Sequence, residues 1–158
     1  MASFYRESRN CELSLLKFIE DSVDADWSGV TVVKTFTALE KASNPVICVM
    51  LDNTNYTREE LGSTGYMETY IFTIDIYASS DGQRVDLSDY LINKLISGWT
   101  YYTVELQSGG GRTLQYTSAG RCRIDRILSN DKINLGSFGD AKERYRQNIS
   151  IAVTVGCN

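Results

Sequence analysis

The segment Tyr70–Tyr77 constrains this chain more than any other. Tyr70, Phe72, Ile74 and Ile76 take one side, and Ile71, Thr73, Asp75 and Tyr77 the other. Successive side chains of a strand point to opposite faces, so the pattern predicts a strand with one apolar and one more polar face. Tyr145–Val155 repeats the arrangement, with Ile149, Ile151, Val153 and Val155 opposite Asn148, Ser150, Ala152 and Thr154. Two such strands call for a mainly antiparallel sheet. One face of it is covered, and the other is too polar for a second core layer.

The covering elements are readable as helices. In Ser8–Val23, Leu15, Leu16, Ile19 and Val23 recur at helical spacing, Phe18 widens the stripe and Glu12 interrupts it. In Asp86–Ser97, Leu87, Leu91 and Leu95 form a second stripe with Tyr90 and Ile92. Asp81 or Asp86 is the expected N-cap and Gly98 the C-cap glycine. Val30–Phe36 and Thr100–Leu106 read as strands, and Val46–Leu51, apolar at every position, as a central strand covered on both faces. Arg112–Tyr116 and Arg121–Leu128 read as one strand with a bulge near Ala119–Gly120. Ala38–Asn44 is expected as a turn onto Pro45, Gln107–Gly111 as a Gly-rich hairpin connection, and Asp52–Gly65 as a long polar loop. The expected fold is one α+β domain spanning residues 1–158. Its order is α-β-β-β-α-β-β-β, with two helices packed on one face of the sheet. A chain of 158 residues buries about 70% of its unfolded surface and needs neither metal nor disulfide to fold.

The residues of common chemistry are sparse. There is no histidine, which removes Ser-His-Asp and Cys-His catalysis and nearly every common zinc site. Cys11, Cys48, Cys122 and Cys157 are widely spaced without a CxxC pair, and read as buried free thiols. Gln107-Ser-Gly-Gly-Gly-Arg112 lacks the Lys-Ser/Thr end of a phosphate loop and lies between strands. The carboxylates Glu59–Glu60 and Asp24–Asp26 sit in polar segments and read as solvated. No catalytic residue, cofactor or metal is expected. The net charge of −4 opposes nucleic-acid binding, which draws on neutralised phosphates. The N-terminus carries no signal-peptide pattern and no stretch is long and apolar enough for a membrane span, so a protein kept in a cytoplasm is expected.

What remains points to contacts between proteins. Arg121, Arg123, Arg126, Arg144 and Arg146 cluster near the C-terminus, interleaved with Asp125, Asp131 and Glu143. A mixed-charge surface of this kind, in a chain with ten tyrosines, suits a protein interface better than a phosphate track. Asp75 is expected to pair across strands with Arg123 or Arg146. The expected interface residues are Arg58, Glu59 and Glu60 in the polar loop, Asp75 and Tyr77 on the polar face, and Arg144 and Arg146.

Three segments then carry a resemblance: Tyr70-Ile-Phe-Thr-Ile-Asp-Ile-Tyr77, the helix around Leu87–Leu95, and Arg144-Tyr-Arg-Gln-Asn-Ile-Ser-Ile-Ala-Val153. With their order along the chain, they resemble the tail terminator and tail completion proteins of long-tailed phages. The resemblance implies an α+β fold and a homo-oligomeric ring, usually a hexamer. The ring caps the tail tube, stops its growth and docks to the head connector. It implies as partners further copies of the chain, the tail tube protein and the connector or neck proteins, with DNA passing through unbound. It places the protein in the virion after synthesis in a host cytoplasm, and brings no catalytic or cofactor residues. Alternatives are another neck, connector or head-completion component, a small carboxylate-dependent enzyme, or a regulatory binding module.

Overall fold

The computed structural model describes residues 6–62, 65–107, 113–134 and 141–157, the Cys157 side chain excepted. The elements are α1 (Glu7–Asp26), β1 (Thr31–Val33), α2 (Phe36–Lys41), β2 (Val46–Arg58), β3 (Tyr66–Tyr77), α3 (Asp81–Ile96), β4 (Trp99–Leu106), β5 (Leu114–Ile133) and β6 (Arg146–Cys157). The strands form one six-stranded sheet in the order β1-β2-β3-β6-β5-β4. Every pair is antiparallel except β1 with β2. The class is α+β, as expected, but the order is α-β-α-β-β-α-β-β-β, with three helices instead of two.

The extra helix replaces the expected turn at Ala38–Asn44 and shortens the expected Val30–Phe36 strand to three residues. Thr35 decides this. Its hydroxyl accepts the Ala38 N–H at 3.2 Å and caps α2, which outweighs the β-branched run before it. At the other end of α2, Lys142 Nζ donates to the Leu39 carbonyl and, at 2.6 Å, to that of Ala42. A cation satisfies carbonyls that a helix end leaves unpaired.

The apolar stripes of α1 (Leu15, Ile19, Val23) and α3 (Leu87, Leu91, Leu95) meet Tyr70, Phe72, Ile74, Ile76 and, from β6, Ile149, Ile151 and Val153 in the main core. Each fully buried aliphatic side chain there contributes about 1.5–3 kcal/mol relative to exposure. The opposite face corrects the expectation of a purely polar surface. Leu39 of α2 packs with Val46, Cys48 and Tyr77 in a second, smaller core. Val46–Val49 is therefore covered on both faces, although β2 lies second from the edge.

The helix α3 starts at Asp81, not Asp86, because Ser80 is its cap. Ser80 Oγ accepts the Gln83 N–H at 3.2 Å, and Gln83 Oε1 accepts the Ser79 N–H at 2.8 Å. This is close to a capping box. Gly98 ends the helix with φ 75°. The bulge expected near Ala119–Gly120 is present: Tyr101 pairs with Gly120 and Tyr102 with Ser118, leaving Ala119 as the extra residue. The Gly-rich connection lies outside the described residues beyond Gln107, whose N–H donates to the Thr113 carbonyl at 3.0 Å.

The largest departure is at Asp52–Gly65. Instead of a loop, β2 runs on to Arg58 and pairs with β3 down to Tyr66. A bulge at Asp52 interrupts the ladder, Leu51 pairing with Phe72 and Asn53 with Ile71. The extra residue changes which side chains face which way. Beyond it Thr54, Tyr56 and Arg58 lie opposite Tyr70, Glu68 and Tyr66, on the α1 side. The Thr73 hydroxyl donates to the Asp52 carboxylate and fixes the bulge.

Candidate functional site

The strands β3 and β6 pair only between Tyr70–Tyr77 and Arg146–Val153. Beyond that junction they part. Tyr66–Thr69 continues with β2, while Thr154–Cys157 continues with β5. The β2–β3 hairpin thus projects as a two-stranded arm. It exposes Tyr56, Tyr66 and Met67 along its length and Leu61, fully accessible, at its tip. Arg58 lies over the Tyr66 ring, 5.8 Å from its centroid.

A cleft of about 850 Å³ opens where the strands part. Glu7, Glu59, Glu68, Tyr66 and Tyr70 stand on the arm and helix side, and Arg121, Arg123, Asp125 and Thr154 on the β5–β6 side. Among the described residues no ion pair bridges it. The Tyr70 hydroxyl donates to the Glu68 carboxylate. Burial, reinforced by the nearby charge of Glu68, holds the Glu7 carboxyl above its ordinary value.

The other strand edges are guarded. The helix α1 lies along β4, where Ser14 Oγ accepts the Tyr102 N–H at 2.8 Å and Asn10 Oδ1 accepts that of Val104 at 3.1 Å. Glu12 of the same helix reaches β2, taking the Leu51 N–H at 3.3 Å and pairing with Lys34 at 2.7 Å. One helix thus touches strands at both ends of the sheet, so the sheet curls around it. The strand β1 is only three residues long. The half of β5 beyond β4 carries bulges at Asp125 and Leu128 and the charges of Arg123, Arg126, Asp131 and Lys132. These are the usual devices against unwanted strand pairing. Asn53–Thr57 is different. Its outer edge pairs with no described strand, and it contains no charge, proline or further bulge.

The expected interface residues divide into two groups. Arg58, Glu59 and Glu60 are exposed on the arm, and Arg144 is exposed in the turn before β6. Asp75 and Tyr77 are buried, at 1% and 2% exposure. Arg146, and not Arg123, is the partner of Asp75, with Nε–Oδ1 and Nη2–Oδ2 both 3.2 Å. Asn148 Nδ2 adds a third donor at 2.8 Å. The Arg146 guanidinium also lies over the Tyr77 ring at 5.3 Å, and burial pushes the Tyr77 phenol up to about 12. This constellation joins β3 to β6 and offers no open acid for chemistry. Asn10, Glu12 and Ser14 are the working polar residues that sequence reasoning missed. Glu12 was visible as an interruption of the apolar stripe, whereas Ser14 reads with Lys17 and Asp21 as part of the far, polar side of the helix, yet Asn10 and Ser14 are buried against β4.

Cys11, Cys48 and Cys122 are buried free thiols. Burial pushes Cys48 up to about 11, and a hydrogen bond with Cys122 raises Cys11 further. Such thiols are poor nucleophiles. Among the described residues no cluster of three or more metal-ligating side chains occurs, and no helix is long and apolar enough to cross a membrane. No family model matches the chain, and no curated protein is significantly similar to it in sequence.

Proposed function

We propose that this chain is a structural subunit that assembles with copies of itself into a ring. The role that fits best is that of a phage tail terminator, closing the end of a tail tube and joining it to the head connector. The observation that carries the reading is the projecting arm, with its exposed Tyr56, Leu61, Tyr66 and Met67 and its unguarded edge at Asn53–Thr57. A two-stranded hairpin is marginal in water by itself. An arm that presents apolar side chains and free backbone groups is stabilised by a neighbour. Arm and cleft are different surfaces of one chain, so contacts built from them are head-to-tail, the kind that generates a ring when the rotation between copies closes. The mixed charge around the cleft supports protein contacts over DNA binding, and DNA would pass such a ring without being held.

Light scattering with electron microscopy of the purified protein tests this. Rings, six-fold in the form that the resemblance implies, or rings capping tube ends, are the expected result. A strictly monomeric protein that never associates with tails would reject the reading. Binding at the head vertex of tailless capsids would move the assignment to a connector or head-completion component.

A further inference from the structure

We propose that the arm tip of one copy docks, through Glu59, Glu60 and Leu61, on a row of arginines on β5 of a second copy. This rests on the ring reading and names the contact that would propagate it.

The tip offers two exposed carboxylates beside a leucine at 103% exposure. Neither carboxylate takes part in an ion pair among the described residues. An apolar side chain fully in water at the end of an arm has no stabilising role within its own chain.

The counterpart lies on the sheet face away from α1 and α3. Arg121 is opposite Gly156 and Arg123 opposite Thr154. The bulge at Asp125 then inserts one residue and brings Arg126 opposite Ala152, on the same face as Arg123. All three arginines are exposed, and none forms an ion pair among the described residues. Among the described residues Arg121 donates to the Ser97 carbonyl, at 2.7 Å. Asp125 is the one carboxylate within the row, so it stays net positive. Where the row ends, a second bulge leaves Leu128 44% exposed, while Ile127, opposite Ile151, belongs to the other face. Two acids and a leucine thus face arginines with a leucine at the end of their row. Charge sets the orientation and apolar burial adds affinity.

Within one chain the two surfaces do not meet. Glu59 and the pair Arg121 and Arg123 line opposite walls of the open cleft, and no ion pair joins them. A second copy is the occupant that satisfies both. Because donor and acceptor patches differ, each copy retains a free tip and a free row, and the contact propagates until it closes.

Two charge-reversed proteins test the docking. One carries Glu59→Lys with Glu60→Lys, the other Arg123→Glu with Arg126→Glu. All four positions are exposed, so both variants should melt at the wild-type temperature. Each alone should lose assembly in light scattering, because like charges then face each other. Mixed in equal amounts they should recover the wild-type mass, since lysine tips meet glutamate rows and glutamate tips meet arginine rows. Assembly of either variant alone at wild-type concentrations would overturn the docking while leaving the ring reading intact. Failure of the mixture to recover would also overturn it, and would indicate that the tip closes on its own chain. A wild-type protein that stays monomeric throughout would reject the docking and the ring together.

Discussion

Gly98 combines two demands that no other residue meets. Its φ of 75° is left-handed, and a Cβ there would lie 2.7 Å from the Cys122 carbonyl oxygen. A backbone atom cannot step aside, so Gly98→Ala should cost about 1–3 kcal/mol in a denaturant titration. The glycine's role as a helix stop was legible in the sequence, because it follows the last apolar residue of a periodic stripe. The close approach of β5 was not, because it depends on a strand more than twenty positions away. Asp75 shows the same boundary. Its mid-strand position marked it for pairing, but two arginines were eligible until the register of β3 on β6 selected Arg146. Arg146→Met would leave that carboxylate buried without its cation, and a loss of about 3–5 kcal/mol is expected in thermal or chemical unfolding. Adding Asp75→Asn should recover much of it. Glu7 makes a prediction about pH. Its proton is held more tightly in the folded chain than in the unfolded one. Stability therefore falls as pH rises from the ordinary carboxylate range through the raised value. Glu7→Gln should flatten that slope and raise the melting temperature at neutral pH, as calorimetry at a series of pH values would show.

Helix α1 shows how an element can do two jobs. Its aliphatic stripe builds the core, and its polar residues Asn10, Glu12 and Ser14 accept strand N–H groups. Replacing Asn10 or Ser14 with alanine leaves the N–H of Val104 or Tyr102 without its acceptor. Each should cost about 1–3 kcal/mol in denaturant titrations. The double variant should aggregate faster, in light scattering at elevated temperature, because β4 becomes available for pairing. Sequence periodicity finds the stripe but treats Glu12 as an interruption, because the strand ends it serves are distant in sequence. Two elements set by short-range chemistry were also misread, α2 as a turn and the start of α3 as Asp86. Ser80-Asp-Gly-Gln83 is a cap pattern that moves the start of α3 to Asp81, and Thr35 does the same for α2. Both compete locally with alternatives, β-propensity before Thr35 and Asp86 after Ser80, and a side-chain hydrogen bond decides each.

For the whole molecule, alternation in β3 and β6 was enough to predict an antiparallel α+β sheet. Composition misassigned the arm. Asn, Thr and Gly resemble loop residues when no partner strand is known, yet Asn53–Thr57 pairs residue for residue with Met67–Ile71. A long polar stretch becomes a strand when a neighbour supplies the hydrogen bonds, and here the neighbour is its own continuation. The candidate site was visible only in part. Arg58, Glu59 and Glu60 stood out by charge, but the cleft beside them exists because two strands separate, which composition does not record.

That separation divides a single strand into two regimes of motion. From Tyr70 to Tyr77, β3 is hydrogen-bonded on both sides; from Tyr66 to Thr69 it has a partner on one side only. Amide protons on the two stretches should therefore exchange with solvent by different routes, the inner ones by global opening and the outer ones by local opening of the arm. Hydrogen exchange followed by mass spectrometry should show protection falling abruptly at Tyr70, with no break in chain or secondary structure. In an assembled ring the outer stretch should gain protection and the step should flatten. A step of equal height in the free and assembled protein would mean that the arm remains in solvent in both.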